Sequence, residues 1–508
     1  MRALSARRAL LLAALAVLGA GPLATAGAGP DDGSRPNVLF LHHSCGRNLI
    51  REGAVRELLT AAGVDFWDHD YNDAERGLTD AAGQPAGCYW IPDDNQWADG
   101  YAALFAQHAQ GDDAPFARIT AHHGVIAFKS CYPASDVLAD DAQADAADPA
   151  RKSLANYRRH YLAIRDVVDQ MQEKTFVIVT QPPLHAEATN PDNARRARAW
   201  TRWLQSDEYL GGRTNLFVFD FFGLLADPDM LRSEYHRLVD RADSHPNARA
   251  NVVCGARFAD ALLNVVEHRK VGGPRVTIDL AEEQGVLASV WDQELVLTGR
   301  AHDERGIARL TWTDLRGHGG ELPSGETWRM PALQLAPGAA RIVVTAWNRD
   351  GLRGSAAMVV RRLTEQPAEI VLFGDAPAAG RLNHCSVSDE QPAEGARHLL
   401  IEGTGEWQVA GLTGLNLDIA GLDPATACLE FQLDRGTDTT DYVSCGLNVG
   451  SLLIHPDSAP GYETFVIPFR QFVYLEDRIT RFSVGAVWGE GARVRVDGVR
   501  VVTRSGAR

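Results

Sequence analysis

Hydrophobic positions in the first half of the chain follow two alternating patterns. Short continuous apolar runs at Asn37–Leu41, Gly124–Phe128, Thr175–Thr180 and Asn215–Asp220 read as strands buried on both faces. Between them lie stretches with helical spacing. Residues 49–62 carry Ile50, Val55, Leu58 and Leu59 on one side, and residues 151–174 carry Leu162, Ile164, Val167, Val168 and Met171. Residues 193–205 and 256–268 continue the alternation. Strands separated by helices over residues 36–270 predict a parallel sheet covered on both faces, an α/β three-layer sandwich. Functional groups in such a fold lie beyond the carboxyl ends of the strands.

The texture changes after Val271-Gly272-Gly273-Pro274. Residues 275–362 hold short β-rich runs such as Arg275–Asp279, Leu295–Thr298 and Arg341–Trp347, with turn signals such as Asn348–Gly351 between them. That spacing predicts a small β-sandwich. A second break falls at Glu365–Glu369. Residues 369–504 are again β-rich, through Leu415–Ile419, Cys428–Leu433, Thr464–Ile467, Phe482–Val487 and Arg493–Asp497. The expected fold is therefore multidomain, an α/β three-layer sandwich with a parallel sheet followed by two β-sandwich domains. At 508 residues the chain is too long for a single core.

Composition narrows the function classes. A formal net charge of -16 argues against nucleic-acid binding, which needs a basic surface. Arg2, Arg7 and Arg8 precede an apolar run at Leu10–Leu18, and Ala24-Thr25-Ala26 supplies small residues for cleavage. This pattern predicts a secretory signal peptide over residues 1–26 and a secreted or periplasmic protein. No later stretch is apolar for long enough to cross a bilayer, so no membrane span is expected in the mature chain. Seven cysteines (45, 88, 131, 254, 385, 428 and 445) would accompany the chain into an oxidising compartment, which permits disulfides. An odd number leaves at least one without an intrachain partner.

Two segments carry chemistry. His42-His43-Ser44-Cys45-Gly46 sits where the first strand ends and the first helix begins. A serine on such a turn stands above the sheet, beside helix N-terminal N–H groups suited to a developing oxyanion. The same serine would also serve as a plain helix N-cap. Asp243-Ser244-His245-Pro246-Asn247 precedes the last helix of the α/β region. Ser44 needs a base to become a nucleophile, and His245 is the base offered here, with a carboxylate to orient it. His42-His43 and His122-His123 lack the carboxylate or cysteine spacing of a zinc site, so neither a metal nor a cofactor is expected. The segment Asp65–Asp73, with Trp67, His69 and Tyr71, is expected to form a short strand and loop at the rim of the cleft, its aromatics either packed or set to stack on a sugar. Trp407, Tyr442, Tyr462 and Trp488 stay open between core and ligand platform.

Residues 36–270 resemble the SGNH/GDSL hydrolase superfamily. Val38-Leu-Phe-Leu-His-His-Ser-Cys-Gly46 matches its first block, with His-His-Ser in place of Gly-Asp-Ser. Asp243-Ser-His-Pro-Asn247 resembles its last block. The resemblance implies ester hydrolysis through a Ser44 acyl-enzyme with His245 as general base. The family's aspartate stands three residues before the histidine, where this chain has Ala242. Asp243 is taken as the orienting carboxylate, with Asp240 as the other option. The family draws oxyanion donors from the serine, a glycine and an asparagine. Ser44 stands for the first and Gly87, or else Gly77, for the second. Phe128–Ser135 has no asparagine, so Ser130 is placed there. Residues 275–362 resemble bacterial immunoglobulin-like modules, and Val494–Val502 resembles the last strand of jelly-roll carbohydrate-binding modules. The expected partner is an ester-bearing substrate, with a polysaccharide suggested by the appended modules. The alternative is a catalytically silent relative acting as a cell-surface or glycan-binding protein.

N-terminal sequencing of exported material should begin at Gly27 or within a few residues of it. An intact Met1 on a cytoplasmic protein is the contrary outcome.

Overall fold

A computed structural model describes residues 35–503 except 76, 93–95, 238–242, 437, 439, 441, 449, 458–460, 470–471 and 473–475. The expected signal peptide lies outside the described residues. Six strands build the first sheet: β1 (Asn37–Leu41), β2 (Asp65–His69), β3 (Leu78–Thr79), β4 (Val125–Lys129), β5 (Thr175–Val179) and β6 (Leu216–Phe219). Their order is β3-β2-β1-β4-β5-β6, parallel throughout except for β3.

The continuous apolar runs have two destinations because strand side chains alternate. Leu39, Leu41, Ile126, Phe128, Phe176 and Ile178 face one layer, against Tyr157 and Ile164 of helix Leu154–Val168 and Trp200 of helix Pro191–Leu204. Val38, Phe40, Ala127, Val177 and Phe219 face the other, against Leu49 of helix Ser44–Gly53 and Phe258 and Leu262 of helix Ala248–His268. The α/β three-layer architecture follows. Helical spacing over residues 49–62 conceals a break at Ala54, which adopts a left-handed φ of 54° and separates two helices. The closing helix starts at Ala248, earlier than its apolar spacing suggests, because Asn247 caps it by accepting from Ala250 N–H at 3.1 Å.

After β1 the chain first extends the sheet to β2 and β3, then crosses to β4 on the other side. That reversal opens a crevice at the carboxyl end of β1, where Ser44 begins its helix. Two glycines let the helix sit this low. A Cβ on Gly53 would stand 2.7 Å from the Cα of Gly255 in the closing helix, and one on Gly46 would stand 2.4 Å from the Cβ of His42.

Two antiparallel-dominated β regions follow. Strands between Arg275 and Arg362 form a three-stranded, a five-stranded and a two-stranded sheet around Trp312, Trp328, Ile342, Val344 and Met358. Strands between Glu369 and Thr503 form a six-stranded and a five-stranded sheet around Phe431, Phe482 and Trp488. Trp488 is therefore core rather than platform. No disulfide joins the seven cysteines, all of which are free thiols.

The closing helix is buried nearly all round, and its Val252 and Ala256 pack on Ala339, Val343, Ala357 and Val359 of the second region. Arg341 donates to the Glu52 carbonyl at 2.5 Å, and Asn264 pins the connection by bonding Gly272 O, Arg353 O and Arg353 N. Inside this seam Asp260 accepts from the Ser355 hydroxyl at 3.0 Å. Burial drives its carboxyl up to about 7, against the pull of Ser355 and Arg353. A carboxyl raised on folding favours the folded state at low pH, and that contribution is lost as pH rises through the folded value. Asp260→Asn should therefore melt several degrees higher than the parent at pH 8, with the gap closing towards pH 5. A melting curve at each pH checks this, and a lower melting point at pH 8 is the contrary result.

Candidate active site

Ser44 occupies the first position of its helix, so its N–H is among those with no intrahelical acceptor. His43 precedes it in extended backbone and makes no side-chain cap, while its carbonyl accepts from Gly46 N–H at 2.6 Å. Ser44 is thus not the N-cap. The cap position is His43, and the serine hydroxyl is free for other partners.

Those partners come from the far end of the α/β region. His245 Nε2 lies 2.8 Å from Ser44 Oγ, across a separation of 201 residues. His245 Nδ1 lies 2.6 Å from Asp243 Oδ1. An ionised carboxylate only accepts, so Nδ1 carries the proton and Nε2 is left to accept from the Ser44 hydroxyl. The order Asp243–His245–Ser44 thus fixes the tautomer.

Asp243 reaches the ring from two residues upstream because the chain turns tightly there. The same Oδ1 also accepts the backbone N–H of His245 at 2.9 Å. Burial opposes ionisation of Asp243. The hydrogen bonds and charge of His245, with Arg237, outweigh it and hold the carboxyl below its ordinary value. Ala242 and Asp240 lie outside the described residues. The loop is pinned on both sides: Ser244 Oγ accepts from His185 N–H at 2.9 Å, and Asn247 Nδ2 donates to Glu234 and His236 carbonyls. The Tyr132 ring meets His245 edge-on at 4.9 Å.

Among the described residues, the side chains and N–H groups expected as oxyanion donors are not all gathered at Ser44. The Ser130 hydroxyl lies beside Tyr161, and no hydrogen bond among the described residues joins it to Ser44. Side chains alternate along an extended segment, and Cys131 takes the inward place instead. Its Sγ lies 3.5 Å from Ser44 Oγ and 3.7 Å from Cys45 Sγ. Burial pushes the Cys45 thiol well above its ordinary value. The hydrogen bond with Cys45 and the nearby Lys129 outweigh burial and hold Cys131 well below its own. Gly77 spends its N–H on the Asp73 carbonyl at 2.8 Å, and no hydrogen bond among the described residues joins Gly87 to Ser44. The Tyr71 hydroxyl, by contrast, is within hydrogen-bonding reach of both the hydroxyl and the N–H of Ser44. Sequence reasoning placed Tyr71 at the rim, open between stacking on a sugar and packing, and gave it no part in the chemistry at Ser44. The signal was the parallel register of β1 and β2, which carries residue 71 alongside residue 43.

The neighbouring polar residues are structural. His42 Nε2 donates to Asp68 at 3.1 Å, and Asp68 is also paired with Arg56. His69 lies beside Cys88 Sγ and accepts from Tyr89 N–H, while His123 bonds Tyr89 and Asn37. Burial pushes His69 down to about 4 and His123 down to about 3, so both stay neutral. Among the described residues no group of His, Cys, Asp or Glu is arranged to hold a metal. Trp67 packs on the core and His69 is buried, which leaves Tyr71, 43% exposed, as the open aromatic of that strand and loop.

No family model and no curated protein matches the chain. Among solved structures, a candidate acylhydrolase from Bacteroides fragilis is 10% identical and covers 48% of this chain and 94% of its own, at a TM-score of 0.30. A family 30 carbohydrate-binding module is 13% identical over 27% of this chain and 89% of its own, at a TM-score of 0.22. A carbohydrate-binding module of the β-sandwich superfamily is 14% identical over 45% and 97%, at 0.19. Likenesses of this size carry no functional argument, and the site is interpreted from its own geometry.

Proposed function

We propose that this chain is a secreted or periplasmic serine esterase of SGNH type, acting on an ester borne by a carbohydrate. The observation that carries this reading is the hydrogen-bonded row Asp243–His245–Ser44 at the N-terminus of a helix. Ser44 Oγ attacks the ester carbonyl carbon while His245 Nε2 takes its proton. Asp243 stabilises the imidazolium and keeps the ring in place. The carbonyl electrons move to oxygen, facing the Ser44 N–H and the positive end of the helix. Collapse breaks the bond to the alkoxy oxygen, which leaves with the proton from Nε2. Water, deprotonated by the same nitrogen, then releases the acid and restores Ser44.

The carbohydrate part rests on the last β region. Trp407 pairs with Val487, and Tyr442 immediately precedes the strand Val443–Leu447 that pairs on the other side of the same strand. All three side chains are exposed, at 50%, 49% and 40% for Trp407, Val487 and Tyr442. Trp407 and Val487 sit side by side on adjacent strands, about 5 Å apart at ordinary strand spacing, and Tyr442 leads into the next strand of the same row. Such a row suits the apolar faces of a sugar chain, and it equally supports the reading in which the chain only binds glycan. No helix among the described residues is long and apolar enough to cross a membrane.

A fluorophosphonate probe should label Ser44 and separate the two readings. Ser44→Ala and His245→Ala should each lower turnover by roughly 10⁴-fold or more, and the double variant should be little worse, because the pair acts as a unit. Asp243→Asn should cost less than either. Turnover should fall on the acid side, where the imidazole holds a proton and cannot accept another. Full activity in Ser44→Ala would overturn the assignment. In a pull-down on insoluble polysaccharide, Trp407→Ala should weaken binding while leaving turnover of a small soluble ester unchanged. Retained binding would remove the row from the glycan reading.

A further inference from the structure

The resting site contains a donor that the expected set did not include. Strands β1 and β2 run parallel with Leu41 opposite His69, and His42 N–H continues the ladder to the His69 carbonyl at 2.9 Å. Two residues further, Tyr71 lies against the Ser44 turn. Its ring meets the His43 ring edge-on at 4.5 Å, and the Arg47 guanidinium stands 5.7 Å over it. Arg47 is itself held by an ion pair with Asp70. The ring is thus fixed by residues on both sides of the nucleophile, with its hydroxyl in reach of Ser44 N–H and Ser44 Oγ.

The sense of these bonds follows from what each group can do. The Ser44 N–H can only donate, so the tyrosine oxygen accepts from it. The Ser44 hydroxyl proton points to His245 Nε2, so Oγ accepts the tyrosine proton. The phenolic oxygen therefore sits where an ester carbonyl oxygen would rest against the Ser44 N–H. The place filled by an asparagine in the resembled family is taken by Cys131, whose thiol is a weak donor already engaged with Cys45.

We propose that Tyr71 is a catalytic residue. Its hydroxyl donates to Ser44 Oγ in the free site and to the carbonyl oxygen once substrate displaces it, which supplies the third oxyanion donor. This rests on the esterase reading above. No proton leaves Tyr71 in the step. The serine proton goes to His245, the carbonyl electron pair goes to oxygen, and the phenol turns its existing O–H from Oγ to that oxygen. Burial raises the phenol above its ordinary value, which keeps it protonated and able to donate in alkaline solution.

The test uses the full chain, p-nitrophenyl acetate as substrate and a phenylboronic acid as a mimic of the tetrahedral intermediate. Tyr71→Phe keeps the ring and its contacts with His43 and Arg47. It should lower kcat by about 10²–10³-fold, the loss known for one oxyanion donor, with KM changed by no more than about twofold. The boronate should bind more weakly by a similar factor, because it too places an oxygen in the hole. Unchanged kcat and boronate affinity would overturn the proposal. So would a rise in kcat/KM, which would make Tyr71 a plug rather than a donor. Wild-type protein that neither labels at Ser44 nor turns over the ester fails the esterase reading itself, a result distinct from an active wild type with an indifferent Tyr71→Phe.

Discussion

A single hydrogen bond, from Ser44 Oγ to His245 Nε2 at 2.8 Å, spans 201 residues of chain, and the first unit is organised around holding its two ends. One end is set by β1, an interior strand buried on both faces, which delivers Ser44 just beyond its carboxyl end. The other is a loop tied by Ser244 to the segment after β5 and by Asn247 to the closing helix. The two helices that carry these ends touch at Gly53 and Gly255, where neither position tolerates a Cβ. That close approach of backbone to backbone sets the spacing of the two helices that carry Ser44 and follow His245.

Beneath the nucleophile lies a layer of buried polar groups that hold the turn rather than react. His42 fills the space left by Gly46 and bonds Asp68, whose carboxyl is held below its ordinary value: burial opposes this, but His42 and Arg56 outweigh it. Each charge there has an opposite partner, as burial requires. On the other side, Cys45 and Cys131 bring two thiols under the serine hydroxyl. The resting site is therefore supported by ion pairs on one side and by soft sulfur on the other.

The seam between the first two regions extends this logic to the whole chain. Helix Ala248–His268 closes the α/β layer and at the same time supplies Val252 and Ala256 to the neighbouring sandwich. A helix shared in this way transmits the position of one unit to the next, and the loop bearing His245 leads directly into it.

Much of this was legible from the residues alone. Continuous apolar runs such as Asn37–Leu41 and Thr175–Val179 determine buried strands, because a segment apolar on both faces must be covered on both faces. Histidine after Asp-Ser and serine after His-His, each at an element boundary, marked out by residue type the pair that the fold brings into hydrogen bond. The break at Ala54 was hidden, since a left-handed residue inside an apolar period leaves the period intact. The choice between Ser130 and Cys131 also had to wait for the fold. Neighbours on an extended segment point in opposite directions, and only packing against Tyr161 shows which direction is inward. Tyr71 is the clearest case. Its distance from Ser44 along the chain says nothing about contact, and its place beside the nucleophile comes from the parallel pairing of β1 with β2, a long-range register that no local pattern encodes.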